Sequence, residues 1–132
     1  MIRSNAFDYI NVLDKTADGA WLRNEALANN IANATTPNYK REDVDFESQL
    51  KEALGPFRYE SMDRKVARVS RMELKPVTYT DSPSYSYRLD GNNVDPETEQ
   101  VELAANQIKY NGLMTCIQTE FSNLRAVMQG GS

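Results

Sequence analysis

Residues 6–34 read AFDYINVLDKTADGAWLRNEALANNIANA, and their spacing decides the fold. Ala6, Ile10, Leu13, Ala17, Ala20, Asn24, Leu27, Ile31 and Ala34 recur at intervals of four and three without a slip. That is a heptad seam on an α-helix. The seam is narrow and rich in alanine, so a partner backbone can come close while little area is buried. Asn24 stands in it, and a polar seam residue commonly sets register at some cost in stability. An amphipathic helix packed on its own domain would share much of this pattern. Pro37 disfavours helical geometry at Thr36, so the helix is expected to stop near Ala34-Thr35. Thr36-Pro37-Asn38-Tyr39 then reads as a turn, with Asn38 able to adopt a left-handed conformation.

The other end of the chain answers with a second long helix. Asp95 can cap it, Pro96 suits its first position, and Asp95, Glu97 and Glu99 place negative charge at the positive end of its dipole. Leu103, Tyr110, Leu113, Ile117, Phe121, Leu124 and Met128 form one stripe, and Val101, Ala104, Ala105 and Ile108 are expected to widen it. The slip at Phe121 argues against a long two-stranded supercoil and for packing in a larger array. Gly112 is tolerated at a cost of roughly 1 kcal/mol relative to alanine. Gly130-Gly131-Ser132 reads as a flexible end. At 1.5 Å per residue the two helices would be roughly 43 and 50 Å long, matched for an antiparallel hairpin of the chain ends. A middle segment would then project from one end of the hairpin.

That middle is polar. Asp45 is a plausible N-cap for a short helix whose face carries Phe46, Leu50, Ala53 and Leu54, and Gly55-Pro56 would end it. Val66 and Val69 stand among Arg64, Lys65, Arg68 and Arg71, flanked by Glu60, Asp63 and Glu73, which reads as a solvated charged loop. Val77, Tyr79, Tyr85, Tyr87 and Leu89 alternate weakly, interrupted by Ser82-Pro83, so a short β-hairpin or an extended loop is expected. Asp90-Gly91-Asn92-Asn93 is a turn signal. The fold class is thus mainly α: an antiparallel, coiled-coil-like pair of long terminal helices with a short, partly irregular or β-hairpin middle. The parts are residues 1–36, 37–93 and 94–132.

Composition narrows the function. The 132 residues have a net charge of -4, a hydrophobic fraction of 40% and an aromatic fraction of 9%, so the private core is expected to be thin or shared. A weakly acidic chain lacks the basic footprint of nucleic-acid binding. There is no histidine, which removes imidazole bases, nucleophile pairs and metal ligands. The one cysteine, Cys116, can form neither an intrachain disulfide nor a thiolate cage, and is expected to be a buried inert thiol. Asp43, Asp45 and Glu47 read as a solvated helix start. No cofactor, metal or small-molecule substrate is expected. No apolar run approaches the roughly 20 residues of a membrane span, and no cleaved signal peptide is expected.

Ala28-Asn29-Asn30-Ile31-Ala32-Asn33-Ala34-Thr35-Thr36-Pro37-Asn38-Tyr39-Lys40 resembles the N-terminal signature of bacterial flagellar axial proteins, the rod, hook and hook-associated subunits. Asp43-Val44-Asp45-Phe46-Glu47, the short middle and Asp90-Gly91-Asn92-Asn93-Val94-Asp95 resemble the proximal rod proteins of the basal body, the FlgB type. The resemblance covers the chain except roughly residues 57–88. Asn38 replaces the family's usual glycine, and Thr35 its usual Asp or Asn. The resemblance implies a non-enzymatic structural subunit of the torque-transmitting rod, exported through the flagellar type III apparatus. It implies terminal helices packed into an axial core, with copies of itself, other rod proteins and an export-gate adaptor as partners. Asn29, Asn30 and Asn33 could then cap the helix end locally or bond neighbouring subunits. A soluble coiled-coil adaptor or export chaperone is the alternative function.

Overall fold

The computed structural model describes residues 5–55, 59–81, 86 and 88–130. Pro56, Ser82-Pro83, Tyr85, Tyr87 and Gly131-Ser132 lie outside the described residues. The elements run α1 (Ala6–Ala32), β1 (Glu42–Val44), α2 (Phe46–Leu54), α3 (Met62–Arg71), β2 (Thr78–Thr80) and α4 (Pro96–Gly130).

α1 and α4 form the expected antiparallel hairpin. Glu99 meets Asn30 near one end, Asn106 donates to the Ala20 carbonyl at 2.7 Å, and the rings of Trp21 and Tyr110 tilt together at 5.7 Å. α1 is 27 residues long and α4 is 35, so the hairpin is about 40–50 Å long. The caps fall where the side chains predict. Asp45 accepts from Ser48 N–H, and Asp95 accepts from the N–H groups of Glu97 and Thr98. Tyr39 N–H returns to the Thr36 carbonyl with Asn38 at φ 62°, a type II turn that asparagine closes in place of glycine.

The middle segment differs from expectation. It does not project from the hairpin's end but lies alongside α1. Tyr9 bonds Asp63, and Lys15 Nζ donates to the carbonyls of Ser70 and Met72. The charged stretch around Val66 is the helix α3, not a loop. Ser61 caps it, Val66 and Val69 are buried one turn apart, Arg64 and Arg71 take the outer face, and half-buried Arg68 donates to the Ala53 and Leu54 carbonyls of α2. Among the described residues the strand β2 has no partner strand beside it in sequence. It pairs antiparallel with the distant β1, Glu42 opposite Thr80 and Val44 opposite Thr78.

The core is thin, with Ala26, Val44 and Phe46 at its centre and Leu22, Leu50 and Leu74 around it. Phe46 lies directly on Gly19 of α1. A Cβ at position 19 would come 2.7 Å from Phe46 Cγ. Alanine normally improves a helix by about 1 kcal/mol over glycine. Here the overlap outweighs that gain, because Phe46 is buried at the start of α2. Gly19→Ala is expected to lower the unfolding free energy by about 1–3 kcal/mol, read as a reduced urea midpoint.

Candidate functional site

The signature stretch builds a buried polar junction. Asn30 is fully buried on α1. Its Nδ2 donates to the Glu42 carbonyl at 2.7 Å and to Glu99 Oε2 at 3.0 Å. Its Oδ1 accepts from Glu42 N–H at 2.8 Å and from the Tyr39 hydroxyl at 3.1 Å. All four hydrogen-bonding positions of the carboxamide are filled. One side chain therefore joins α1, β1 and α4.

Charge continues outward from Glu99, whose side chain is 2% exposed. Arg41 Nε donates to Glu99 Oε1 at 2.6 Å, and its other nitrogens reach Asp81 and Asp43. Arg23 bonds both Asp43 and Glu102. Burial acts to lower the Arg41 guanidinium's proton affinity, but the hydrogen bonds it donates to Glu99 and Asp81 outweigh that effect and raise it. Burial likewise acts to raise the Asp43 carboxyl. Hydrogen bonds from Arg23 and Val44 N–H, with the positive charges of Arg23 and Arg41, hold it below the ordinary carboxylate range. Asp43 thus contributes stability that is full above its unfolded pKa, near 3.9, and is lost as pH falls through its depressed folded value. Acid unfolding should show that loss below about pH 4, and Asp43→Asn should flatten it.

A second set of bonds closes the end of α1. Asn92 Nδ2 donates to the carbonyls of Asn33 and Thr36, Arg88 donates to the Ala34 carbonyl, and Lys40 Nζ reaches the Gly91 carbonyl. Asn33, Ala34 and Thr36 lie just past the end of α1, so these bonds pin the turn that follows the helix to the Arg88–Asn92 segment. Gly91 sits at φ 78°, and a Cβ there would meet Asn38 Oδ1 at 2.4 Å, so glycine serves both the backbone and the close approach.

The residues singled out from sequence divide between junction, seam and surface. In the α1 seam, Ile10, Ala17, Ala20 and Leu27 are buried, while Leu13, Asn24 and Ile31 are half-buried. Asn24 Oδ1 is enclosed without a hydrogen-bond partner among the described residues. In the signature, Asn33, Tyr39 and Lys40 are half-buried, and Ala28, Asn29, Ala32, Thr36, Pro37 and Asn38 are exposed. On α4, Leu103, Tyr110, Leu113, Ile117 and Leu124 are half-buried, while Phe121 and Met128 are exposed. These last two lie at the tip, where α4 reaches the start of α1 and meets Phe7.

Four expectations are corrected. Val101, Ala104, Ala105 and Ile108 do not widen the stripe toward α1; they are exposed, because Val101 is half a helical turn away from Tyr110. Cys116 is exposed on the same helix rather than buried. Asp43 is buried in the ion network, and only Asp45 and Glu47 behave as a solvated helix start. Asn30 neither caps locally nor faces outward, although Asn33 does bond locally, to the Asn29 carbonyl. Glu99 and Arg41 were missed as junction residues. Their signal was a charged residue one helical turn inside a capped start and another just after the turn.

α4 is the unusual element. Of its described residues only Glu99 and Asn106 are buried, and both are polar. Its apolar residues are half-covered or open, with Val101 69% and Ile108 73% exposed. Val101, Ala104, Ile108, Gly112, Thr115 and Thr119 make an outward stripe free of charge, and a Cβ added at Gly112 would touch nothing. No helix among the described residues is long and apolar enough to cross a membrane.

No family model matches the chain. Individual relatives do. The chain is 33% identical to the flagellar basal body rod protein FlgB of Bacillus subtilis, across 92% of this chain and 94% of that protein. It is 36% identical to the protein of the same name from Salmonella typhimurium, across 83% and 85% of the two. The Escherichia coli protein of that name is 31% identical over the same shares. Similarity at this level over nearly the whole of both chains agrees with the signature that builds the Asn30 junction: the chain belongs to the flagellar basal body rod protein FlgB family.

Proposed function

We propose that this chain is a structural, non-catalytic subunit of the flagellar basal-body rod, assembling with copies of itself and with other rod proteins into the shaft that transmits torque. The observation that carries this reading is α4, a 35-residue helix whose only buried residues are two polar ones. Such a helix gains most of its apolar burial from neighbours. Half-covered seam residues such as Leu113 and Ile117, and open ones such as Ile108, are then completed by other subunits. The partial cover on α1 residues Leu13 and Ile31 has the same meaning.

In this reading residues 1–36 and 94–132 form the axial core, and residues 37–93 form a module braced against α1. The export-gate adaptor lies below the subunit and the remaining rod proteins lie above and beside it. The rod stands in the periplasm or cell-wall zone, and the subunit travels there through the type III apparatus without a cleaved signal. The relatives' shared name and the one-sided burial of α4 support this picture. The test is to delete the gene and to restore it with a tagged copy. Deletion should abolish swimming, and the tagged chain should co-purify with intact basal bodies. A tagged chain that restores swimming yet is absent from basal bodies would sink the reading.

A further inference from the structure

Two rows of charge on this molecule are opposite in sign and alike in spacing, yet form no ion pair with each other among the described residues. On α1, Asp14, Asp18 and Glu25 are exposed on a face left open by the neighbouring helices. Trp21 stands between Asp18 and Glu25, 53% exposed, with one side against Tyr110. On α3, Arg64 and Arg71 are exposed on the side away from buried Val66 and Val69. Between them lies a groove of about 520 Å³ whose apolar lining is Ala67 and Met72. Among the described residues, Asp14, Asp18, Glu25, Arg64 and Arg71 form no ion pair.

The spacing is the same on both helices. Asp18, Trp21 and Glu25 stand at i, i+3 and i+7, and so do Arg64, Ala67 and Arg71. Seven residues are about 10.5 Å on either helix. Two such rows laid together would put a carboxylate on each guanidinium and the indole over the apolar lining. Arginine beside tryptophan is also the pairing that cation–π attraction and interface composition favour.

We infer that the Asp18–Trp21–Glu25 face of one copy seats on the Arg64–Arg71 face of the next copy of this chain. The two rows belong to different elements, so the contact is heterologous, the kind that adds copy to copy in a ring or an open helix. The inference rests on the rod reading for its biological setting, while the contact itself is measurable on the purified chain. Charge complementarity selects a second copy over an unrelated apolar partner, and steers the encounter.

The chain has one tryptophan, so Trp21 fluorescence reports the contact directly. The purified full chain is titrated in concentration at low salt, with sedimentation as the second readout. Trp21 emission should shift to the blue as association proceeds, and salt raised from about 0.05 to 0.5 M should reverse it. Asp18→Arg with Glu25→Arg, or Arg64→Glu with Arg71→Glu, should each weaken association roughly tenfold and keep emission at the exposed wavelength. All four changes in one chain should restore association to within about threefold of wild type. The milder Asp18→Asn with Glu25→Gln should give an intermediate loss, and circular dichroism should be unchanged throughout. Double variants that associate like wild type, a quadruple variant as weak as the doubles, or a wild type that stays monomeric would each overturn the pairing. Rescue in the quadruple with no wild-type chain in basal bodies would keep the pairing and defeat the rod reading. A wild type present in basal bodies with no rescue would do the reverse, and would assign the rows to a different rod protein or to an anionic polymer.

Discussion

Glu99→Ala is expected to be the most damaging single truncation in the lone chain, lowering the unfolding free energy by about 3–5 kcal/mol. Glu99 is 2% exposed and accepts from both Arg41 and Asn30. Removing it leaves the guanidinium of Arg41, 18% exposed, beside the remaining Asp43 and Asp81 but without its most buried acceptor. Asn30 Nδ2 loses a partner in the same step. Each loss falls on a group already taken out of water, so the cost exceeds that of an exposed ion pair, typically about 0–1 kcal/mol. Whole-domain stabilities are about 5–15 kcal/mol, so the variant should unfold at much lower urea. Glu99→Gln keeps the shape and one acceptor and should lose only about 1.5–3 kcal/mol. Glu97→Ala, two residues away and exposed, is the control and should stay within about 0.5 kcal/mol. If Glu99→Ala were as mild as Glu97→Ala, the junction would not hold the hairpin to the strand. The double change Arg41→Met with Glu99→Leu should cost less than the sum of its parts, because it removes both charges together.

How much of this junction could be read in advance depends on the range of the interactions. The long helices were legible because their cause is local: heptad spacing in α1, and Asp95-Pro96 at the start of α4. The caps Asp45 and Asp95 and the turn at Asn38 were legible for the same reason. The sheet was not, because Glu42–Val44 pairs with Thr78–Thr80 across a long stretch of intervening chain. No turn residue announces such a pairing. α3 was hidden by its own composition. Arg64, Lys65, Arg68 and Arg71 dominate the stretch, and only two valines mark the buried side. Ser61 followed by Asp63, with arginines in the last turn, was the helix signal available. Glu99 had an adequate local explanation as a charge near a helix start. Its real role needed the knowledge that Asn30 and Arg41 arrive from elsewhere in the chain. The α4 stripe was legible, but which half faces α1 was not. That choice is set by where α1 packs, and it puts Ile108 and Cys116 on the outside.

The outside of α4 gives the prediction with the largest effect on function. Ile108→Asp is expected to leave the unfolding free energy within about 0.5 kcal/mol, because the side chain is 73% exposed in the lone subunit. It should nevertheless abolish swimming and incorporation into basal bodies, since a carboxylate buried between helices without a partner is strongly unfavourable. Gly112 sharpens the argument. It lies one turn further along the same stripe, and an added Cβ meets nothing within 4 Å. A glycine inside an exposed helix costs about 1 kcal/mol relative to alanine, and nothing within the lone subunit explains that cost. Close approach of a neighbouring helix does explain it. Gly112→Ala should therefore raise the stability of the isolated chain by about 0.5–1 kcal/mol while reducing its incorporation into rods. The two changes in opposite directions are the point of the experiment. A subunit limited by its own stability would improve in both measures, and one whose α4 faces only water would swim normally with either variant.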